Sequence, residues 1–411
     1  MNENLTLSTS VEKERIGHYL WMMFATCFAG NILGGTVSTL MSVYLPVVAN
    51  DLLGRVDADR LNRVSASINA LYFVGWAIGG FTWGVIGDRI GRARSLAMAV
   101  GMFGLFTVLI GFAPSWEWVL IFRFFCGFGV GGTLVINTTL LSEVWPERTR
   151  AIFIGILSIG FPVGIFSSGA LNYFVSGWRQ GFMMGIAPMG LGIISIWILK
   201  ESEKWKTSRT FPEENKKAVN TKEYRKNIVN GSIIFGSMLI GLWAVFSWVP
   251  TWVQSLLAEK DSQHERGLSM MMLGVGGLSG GFFSGWISNA LGTRKAMLAC
   301  FSGCFILSFL LFKGNTTFSE ITLIEIALLA FTFGISQGLL SVYIPLLFPV
   351  AGRATATGFC FNIGRFLTAA AVFFVGALVT TLGGYGNSLF AFSFVFLVGF
   401  LFLLFSRKIR N

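Results

Sequence analysis

The side chains with the greatest chemical reach in this sequence are two arginines embedded in apolar runs, Arg123 and Arg365. Arg365 lies about 12 residues into a run that starts near Arg353, or about 18 Å along a helix at 1.5 Å per residue. That depth is near a bilayer centre, where an arginine costs about 3 kcal/mol on insertion scales. No acidic residue is expected at the same depth on a neighbouring run. Two partners stay open: an incoming anion, whose carboxylate or phosphate matches the guanidinium fork, or protein groups such as Gln337 and helix carbonyls. Asn362 sits one turn earlier on the same face. Gln337 and Asn31 fall at similar depth in other runs. Buried amides need hydrogen-bond partners, so each either orients a ligand or joins helices. Arg123, about two turns into the fourth run, draws anions inward, exchanges a proton with a carboxylate, or snorkels to the headgroups. Trp243, Trp248 and Tyr44 either wall a cavity or pack. Glu143, near Arg150, is a proton carrier or an ion-pair partner, and Glu325 is a weaker carrier.

The elements that hold these residues follow from composition. The chain has 411 residues, 54% hydrophobic and 12% charged, with a mean hydropathy of +0.68. Soluble domains carry about 25% charge, so this chain has too few charges to cover a water-facing surface. It is expected to be an all-α polytopic membrane protein in contact with lipid. Apolar runs long enough to span a bilayer are centred near Gly30, Phe73, Phe103, Gly131, Gly160, Gly190, Leu242, Gly277, Phe305, Gly334, Ala370 and Val395. Twelve spans put both termini on one side. With that side cytoplasmic, only Arg55, Arg60, Arg63, Arg179, Lys260, Arg266 and Lys313 of the 31 Lys and Arg fall in external loops. The positive-inside rule fixes this orientation. The net charge of +11 is thereby explained without a nucleic-acid partner. Met1 to Gly17 lacks the basic start and cleavage site of a signal peptide, so the first helix is expected to be a retained span. Cys27, Cys126, Cys300, Cys304 and Cys360 lie within apolar runs and read as small core residues. With only His18 and His264, no paired-cysteine spacing and no phosphate loop, neither an enzyme centre, a metal nor a cofactor is expected.

The chain repeats itself. Gly84-x-x-x-Asp88-x-x-Gly91-Arg92 returns as Gly285-x-x-x-Asn289-x-x-Gly292, and Pro146-x-x-x-Arg150 returns as Pro349-x-x-x-Arg353. Similar offsets imply two pseudo-symmetric six-helix bundles with a site between them near the midplane. The expected divisions are an N-terminal bundle over 1–199, a cytoplasmic linker over 200–228 and a C-terminal bundle over 229–411. Part of the Lys-rich linker could lie on an anionic leaflet. Pro250, and Gly155, Gly160, Pro162 and Gly164, mark soft points in the seventh and fifth helices.

The stretch Gly84-Val-Ile-Gly-Asp88-Arg-Ile-Gly91-Arg92-Ala-Arg-Ser95 closely resembles the loop between helices 2 and 3 of the major facilitator superfamily. Arg123-Phe-Phe-Cys-Gly127-Phe-Gly129 with Ser142-Glu143-Val-Trp-Pro146-Glu-Arg-Thr-Arg150 is similar to the helix 4 signature of organic acid:proton symporters, the sialate and aromatic-acid groups above all. Phe361-Asn362-Ile-Gly364-Arg365 resembles the aromatic-acid and nicotinate groups. The resemblance implies alternating access and a cytoplasmic latch in which Asp88 meets the N-terminal end of helix 11, with Gly84, Arg92, Glu143 and Arg150 around it. One departure stands out: the aspartates of aromatic-acid symporters in helix 1 align with Gly34 and Val37 here. The function these features imply is secondary transport of a small organic anion, a monocarboxylate, across a bacterial inner membrane by a monomer, with protons as the coupling ion. The alternatives are a proton-coupled exporter of drugs or metabolites with the same fold, and a non-transporting receptor.

Overall fold

A computed structural model describes residues 17–202, 222–257, 262–348 and 353–405. Among them, twelve helices are long and apolar enough to cross a membrane. The first six are α1 (His18–Leu53), α2 (Ala58–Ile90), α3 (Arg92–Gly111), α4 (Trp116–Val144), α5 (Glu147–Phe174) and α6 (Trp178–Ile198). The second six are α7 (Lys222–Ser255), α8 (Gln263–Leu291), α9 (Thr293–Gly314), α10 (Glu320–Leu346), α11 (Arg353–Ala377) and α12 (Tyr385–Phe405). With no water in the hydrocarbon, each backbone must satisfy its own polar groups, and the α-helix does so within one segment. Pro46, Pro162, Pro250 and Pro345 all lie inside continuous helices.

The two bundles are built alike. In each, the second and fourth helices pack closest, α2 on α4 and α8 on α10. Small residues make that possible. A Cβ at Gly79 would strike the Phe128 carbonyl of α4, and one at Gly131 would strike the Trp76 carbonyl of α2. Gly280 faces the Phe331 carbonyl and Gly334 the Gly277 carbonyl in the equivalent places. These glycine pairs repeat with the same spacing as the loop motifs. The bundles meet through α5 on α8 and α2 on α11.

The end carrying the α2–α3 loop is the terminal end, since the described chain also starts and stops there. Hydrogen bonds join the bundles at the opposite end. The Arg266 Nε–H donates to the Val43 carbonyl at 3.0 Å, Gln263 to the Asn172 carbonyl at 2.6 Å and the Tyr385 hydroxyl to Asn62 Oδ1 at 2.6 Å. Arg266 was expected in an exposed loop; it lies in the first turn of α8 and is buried, because the bundle interface supplies acceptors for it. α7 begins at Lys222, within the last residues of the expected 200–228 linker. Residues 203–221, including most of that linker, lie outside the described residues.

Candidate functional site

Midway along α11, Arg365 points across the bundle interface. Its guanidinium Cζ lies 5.3 Å from the ring centre of Trp76 on α2, a cation–π contact. One N–H donates to Asn362 Oδ1 at 2.9 Å, the i,i+3 neighbour on its own helix. It makes no ion pair with any described carboxylate, and the expected alternative contact to Gln337 is not made. Asn362 is buried, donates to the Gly358 carbonyl at 3.0 Å, and packs against Gly80, which lets α2 and α11 approach.

Aromatic rings from three helices close around this charge. Trp76 sits edge-on to Trp243 of α7 at 5.1 Å between centroids and stacks on Phe161 of α5 at 5.9 Å. Trp243 and Phe161 complete the triangle at 6.1 Å. The Trp76 Nε1–H is buried and has no acceptor, and Gln337 Nε2 is likewise unpartnered. The unmatched Trp76 donor, beside a guanidinium that pairs with no described carboxylate, suits an acceptor-rich, negatively charged group. The surrounding rings suit a flat apolar body. Trp243, one of the aromatics singled out from the sequence, belongs to this group; Trp76 and Phe161 were not singled out. Trp76 lies one turn after Tyr72 on α2, the helix that packs on α11 of the other bundle.

The family model of the Major Facilitator Superfamily matches residues 19–369. The chain belongs to this superfamily. It is a multi-pass membrane transporter, not an enzyme. It is 28% identical over 376 residues to a probable 4-methylmuconolactone transporter of Cupriavidus pinatubonensis, covering 88% of this chain and 84% of that one. It is 26% identical to a cis,cis-muconate transport protein of Acinetobacter baylyi, covering 90% of each, and 28% identical to a niacin transporter of that organism, covering 81% and 82%. A crystal structure of a D-xylose-proton symporter superposes with a TM-score of 0.78 at 18% identity, covering 96% of this chain and 98% of that one; this likeness shows the fold.

Other candidate residues of this transporter serve helix packing. Asn31 donates to the Leu157 carbonyl at 2.9 Å and accepts from Asn137 at 2.9 Å, so its amide ties α1 to α4 and α5. Asn137, not anticipated, also donates to the Cys27 carbonyl at 3.1 Å. The Tyr44 hydroxyl donates to the Val175 carbonyl at 2.6 Å. Trp248 is fully buried and donates to the Val372 carbonyl at 3.0 Å, locking α7 to α11. For Asn31, Tyr44 and Trp248 the polar atoms are occupied by protein, which matches the helix-joining and packing alternatives. A cavity of about 280 Å³ does exist at the opposite end, lined by Asn50, Ser65, Thr251, Gln254 and Tyr385 among others; Arg365 does not line it.

Arg123 does not snorkel. It is 1% exposed, with its Cζ 4.0 Å from the Tyr72 ring centre. One N–H reaches the Val37 carbonyl at 3.4 Å, and its Nε has no acceptor. The five cysteines are all buried and free.

At the terminal end, Arg92 bridges two acids. It contacts Asp88 Oδ1 at 2.5 Å and Glu143 Oε1 at 3.2 Å. Glu143 was expected beside Arg150, but Arg150 instead donates to the Trp145 carbonyl at 3.1 Å and to Glu147 at 3.4 Å. The helix break at Pro146 turns Arg150 back onto its own corner. A Cβ at Gly84 would meet nothing within 4 Å, so packing gives no reason for a glycine there. Glu325 accepts from Asn315 at 2.5 Å in the second turn of α10, near the opposite end.

Proposed function

We propose that this transporter moves a small organic anion with one carboxylate and a flat unsaturated body by alternating access, with proton symport driving uptake across a bacterial inner membrane. The observation that carries this reading is the Arg365 guanidinium, free of any described carboxylate and set over Trp76 within the Trp76, Trp243 and Phe161 rings. In this reading Arg365 takes the carboxylate, Asn362 holds the guanidinium in place, and the unpartnered donors of Trp76 and Gln337 take further acceptors. A relative named as a niacin transporter supports a flat monocarboxylate, and one named for cis,cis-muconate, a dicarboxylate, supports the wider class of unsaturated organic anions. Arg-rich loops at the terminal end support cytoplasmic termini. The bundles, 1–199 and 229–411, rock about the site, with 200–228 as the link and Asp88 as part of the inner latch. Glu143, whose Oε2 is buried without a partner, is the proposed proton carrier, and Glu325 is the second candidate. The purified monomer is the proposed working unit.

The test is uptake of labelled nicotinate, 4-hydroxybenzoate and cis,cis-muconate into proteoliposomes, with and without an imposed inward proton gradient. At least one acid is taken up, faster with the gradient. Arg365→Ala lowers that uptake at least about thirtyfold, the scale for losing one side of a buried charge pair. Unimpaired uptake by Arg365→Ala, or transport restricted to organic cations, overturns the reading; the second outcome favours the exporter.

A further inference from the structure

The cavity of about 280 Å³ at the end opposite the termini belongs to both bundles. Leu45 and Asn50 of α1 and Leu61 and Ser65 of α2 line it from one bundle, and Thr251 and Gln254 of α7 from the other. None of the residues lining it is charged. Its polar groups are not all engaged. Thr251 is buried, and its Oγ1 has no hydrogen-bond partner among the described residues. The Gln254 Oε1 accepts from Arg266 Nη1 at 2.8 Å, which fixes that amide and leaves its N–H groups as donors. A buried hydroxyl without a partner is unfavourable, so a molecule that satisfies it gains by binding. The cavity is separate from the Arg365 site. On α2, Asn69 and Phe73 lie between Ser65 of the cavity and Trp76 of the site. Asn69 Nδ2 donates to the Ser247 carbonyl of α7 at 3.4 Å, and Phe73 meets Trp243 at 5.1 Å between ring centres.

We propose that this cavity is a regulatory site for a small uncharged molecule carrying an amide or hydroxyl on an apolar body, and that its occupant holds the bundles together at this end and inhibits uptake. The ligand chemistry follows from the walls. An uncharged lining offers no counter-ion, so an ionised ligand would lose hydration without return. Leu45 and Leu61 favour apolar surface, while Thr251, Ser65, Asn50 and Gln254 can donate to or accept from one polar head. The volume is at the small end of ligand pockets, which suits a single substituted ring. The inhibition follows from the two-bundle wall. A ligand that touches both bundles binds the state in which they meet here, and it shifts the population toward that state by its differential affinity. It adds to the hydrogen bonds that already join the bundles at this end, Arg266 to Val43 and Tyr385 to Asn62. In the orientation proposed above this end faces outward, and it must open for uptake, so the occupant has to leave first. The inference stands on this cavity and not on the anion reading of Arg365.

The probe is benzamide, with benzoate as its charged counterpart, and the full chain is used throughout. Benzamide at millimolar concentration is expected to raise the melting temperature of the protein in detergent, as a ligand of the native state does. Arg365→Ala keeps that shift. Thr251→Val, the same shape without the hydroxyl, weakens apparent binding by about two- to tenfold, the scale of one hydrogen bond. Benzoate gives no shift in Arg365→Ala, where only the cavity remains to bind it. In proteoliposomes benzamide lowers the maximal uptake rate of a transported acid, and saturating acid does not restore it. Thr251→Val transports as wild type and is less inhibited. No shift with benzamide, an undiminished shift in Thr251→Val, or inhibition relieved by saturating acid overturns the proposal. A benzoate shift that survives Arg365→Ala overturns the uncharged class of ligand. Absence of flux of any acid overturns the anion reading alone, since the melting temperatures still decide this one.

Discussion

The α2–α3 and α8–α9 loops are two versions of one turn, and they differ in what holds them. Both break the helix at a glycine with positive φ, 111° at Gly91 and 77° at Gly292. The first is embedded in charge. Arg92 joins Asp88 to Glu143 of α4, and Glu201 accepts from the Arg94 backbone N–H at 3.1 Å, capping α3 from the start of the inter-bundle segment. The second has Asn289 in place of the acid. Its Ser288 and Thr293 hydroxyls meet at 2.9 Å, and Arg294 donates to the Leu403 and Leu404 carbonyls at the end of α12. The first loop is therefore tied to another helix and to the inter-bundle segment, while the second is tied only within its own bundle by these contacts. Duplication preserved the backbone solution and let the electrostatics diverge, and charge is concentrated where a gate would be controlled.

That contrast can be broken most sharply at the glycines. Gly91→Ala forces a side chain into a backbone region suited to glycine, at about 1–3 kcal/mol, and also drives a Cβ into the Glu201 carboxylate. Gly292→Ala meets open space, so it carries only the backbone cost. Thermal denaturation in detergent should show Gly91→Ala as clearly the less stable of the two; equal melting temperatures would remove Glu201 from the account. Next in size are the polar positions. Asp88→Asn should slow transport by about two- to thirtyfold, from the 0.3–2 kcal/mol of an anion at a helix end, while Asn289→Ala stays near wild type. Equal rates for the two would refute the asymmetry. Glu143→Gln removes one of the two acids on Arg92 and should flatten the response of uptake to an imposed proton gradient; a gradient response unchanged from wild type would exclude it as the proton carrier. The smallest effects belong to the anchors. Glu201→Gln weakens a helix cap worth about 0.5–2 kcal/mol, and Arg294→Ala loses hydrogen bonds worth about 0.5–1.5 kcal/mol each. Melting curves should show both as mild, with transport slowed only in Glu201→Gln.

Much of this molecule is legible before any coordinates. Twelve apolar runs become twelve helices because hydrocarbon leaves a backbone segment no other way to satisfy itself. The repeated loop motifs announce the duplication. Arg365 could be singled out because a charge at mid-membrane always demands a reason. The amides and aromatics were not so legible. Asn31 and Gln337 have the same chemistry at the same depth, yet one is saturated by Asn137 and Leu157 and the other keeps a free donor. Trp243 and Trp248 differ by five positions, enough to send one against Trp76 and Phe161 and the other onto the Val372 carbonyl. Glu143 was expected beside Arg150, and the corner at Pro146 leaves it to Arg92 instead.

Sequence alone determined the class, the number of spans, the internal repeat and the single most consequential charge, because each depends on transfer of a residue between water and lipid, a property of the residue and its immediate run. Tertiary structure decided which polar groups are spent on holding helices together and which remain for a ligand. That choice depends on the rotation of each helix about its axis and on a few ångströms between neighbours, which bring the Trp76 ring beneath Arg365 and leave Arg123 over Tyr72 with no acid at hand.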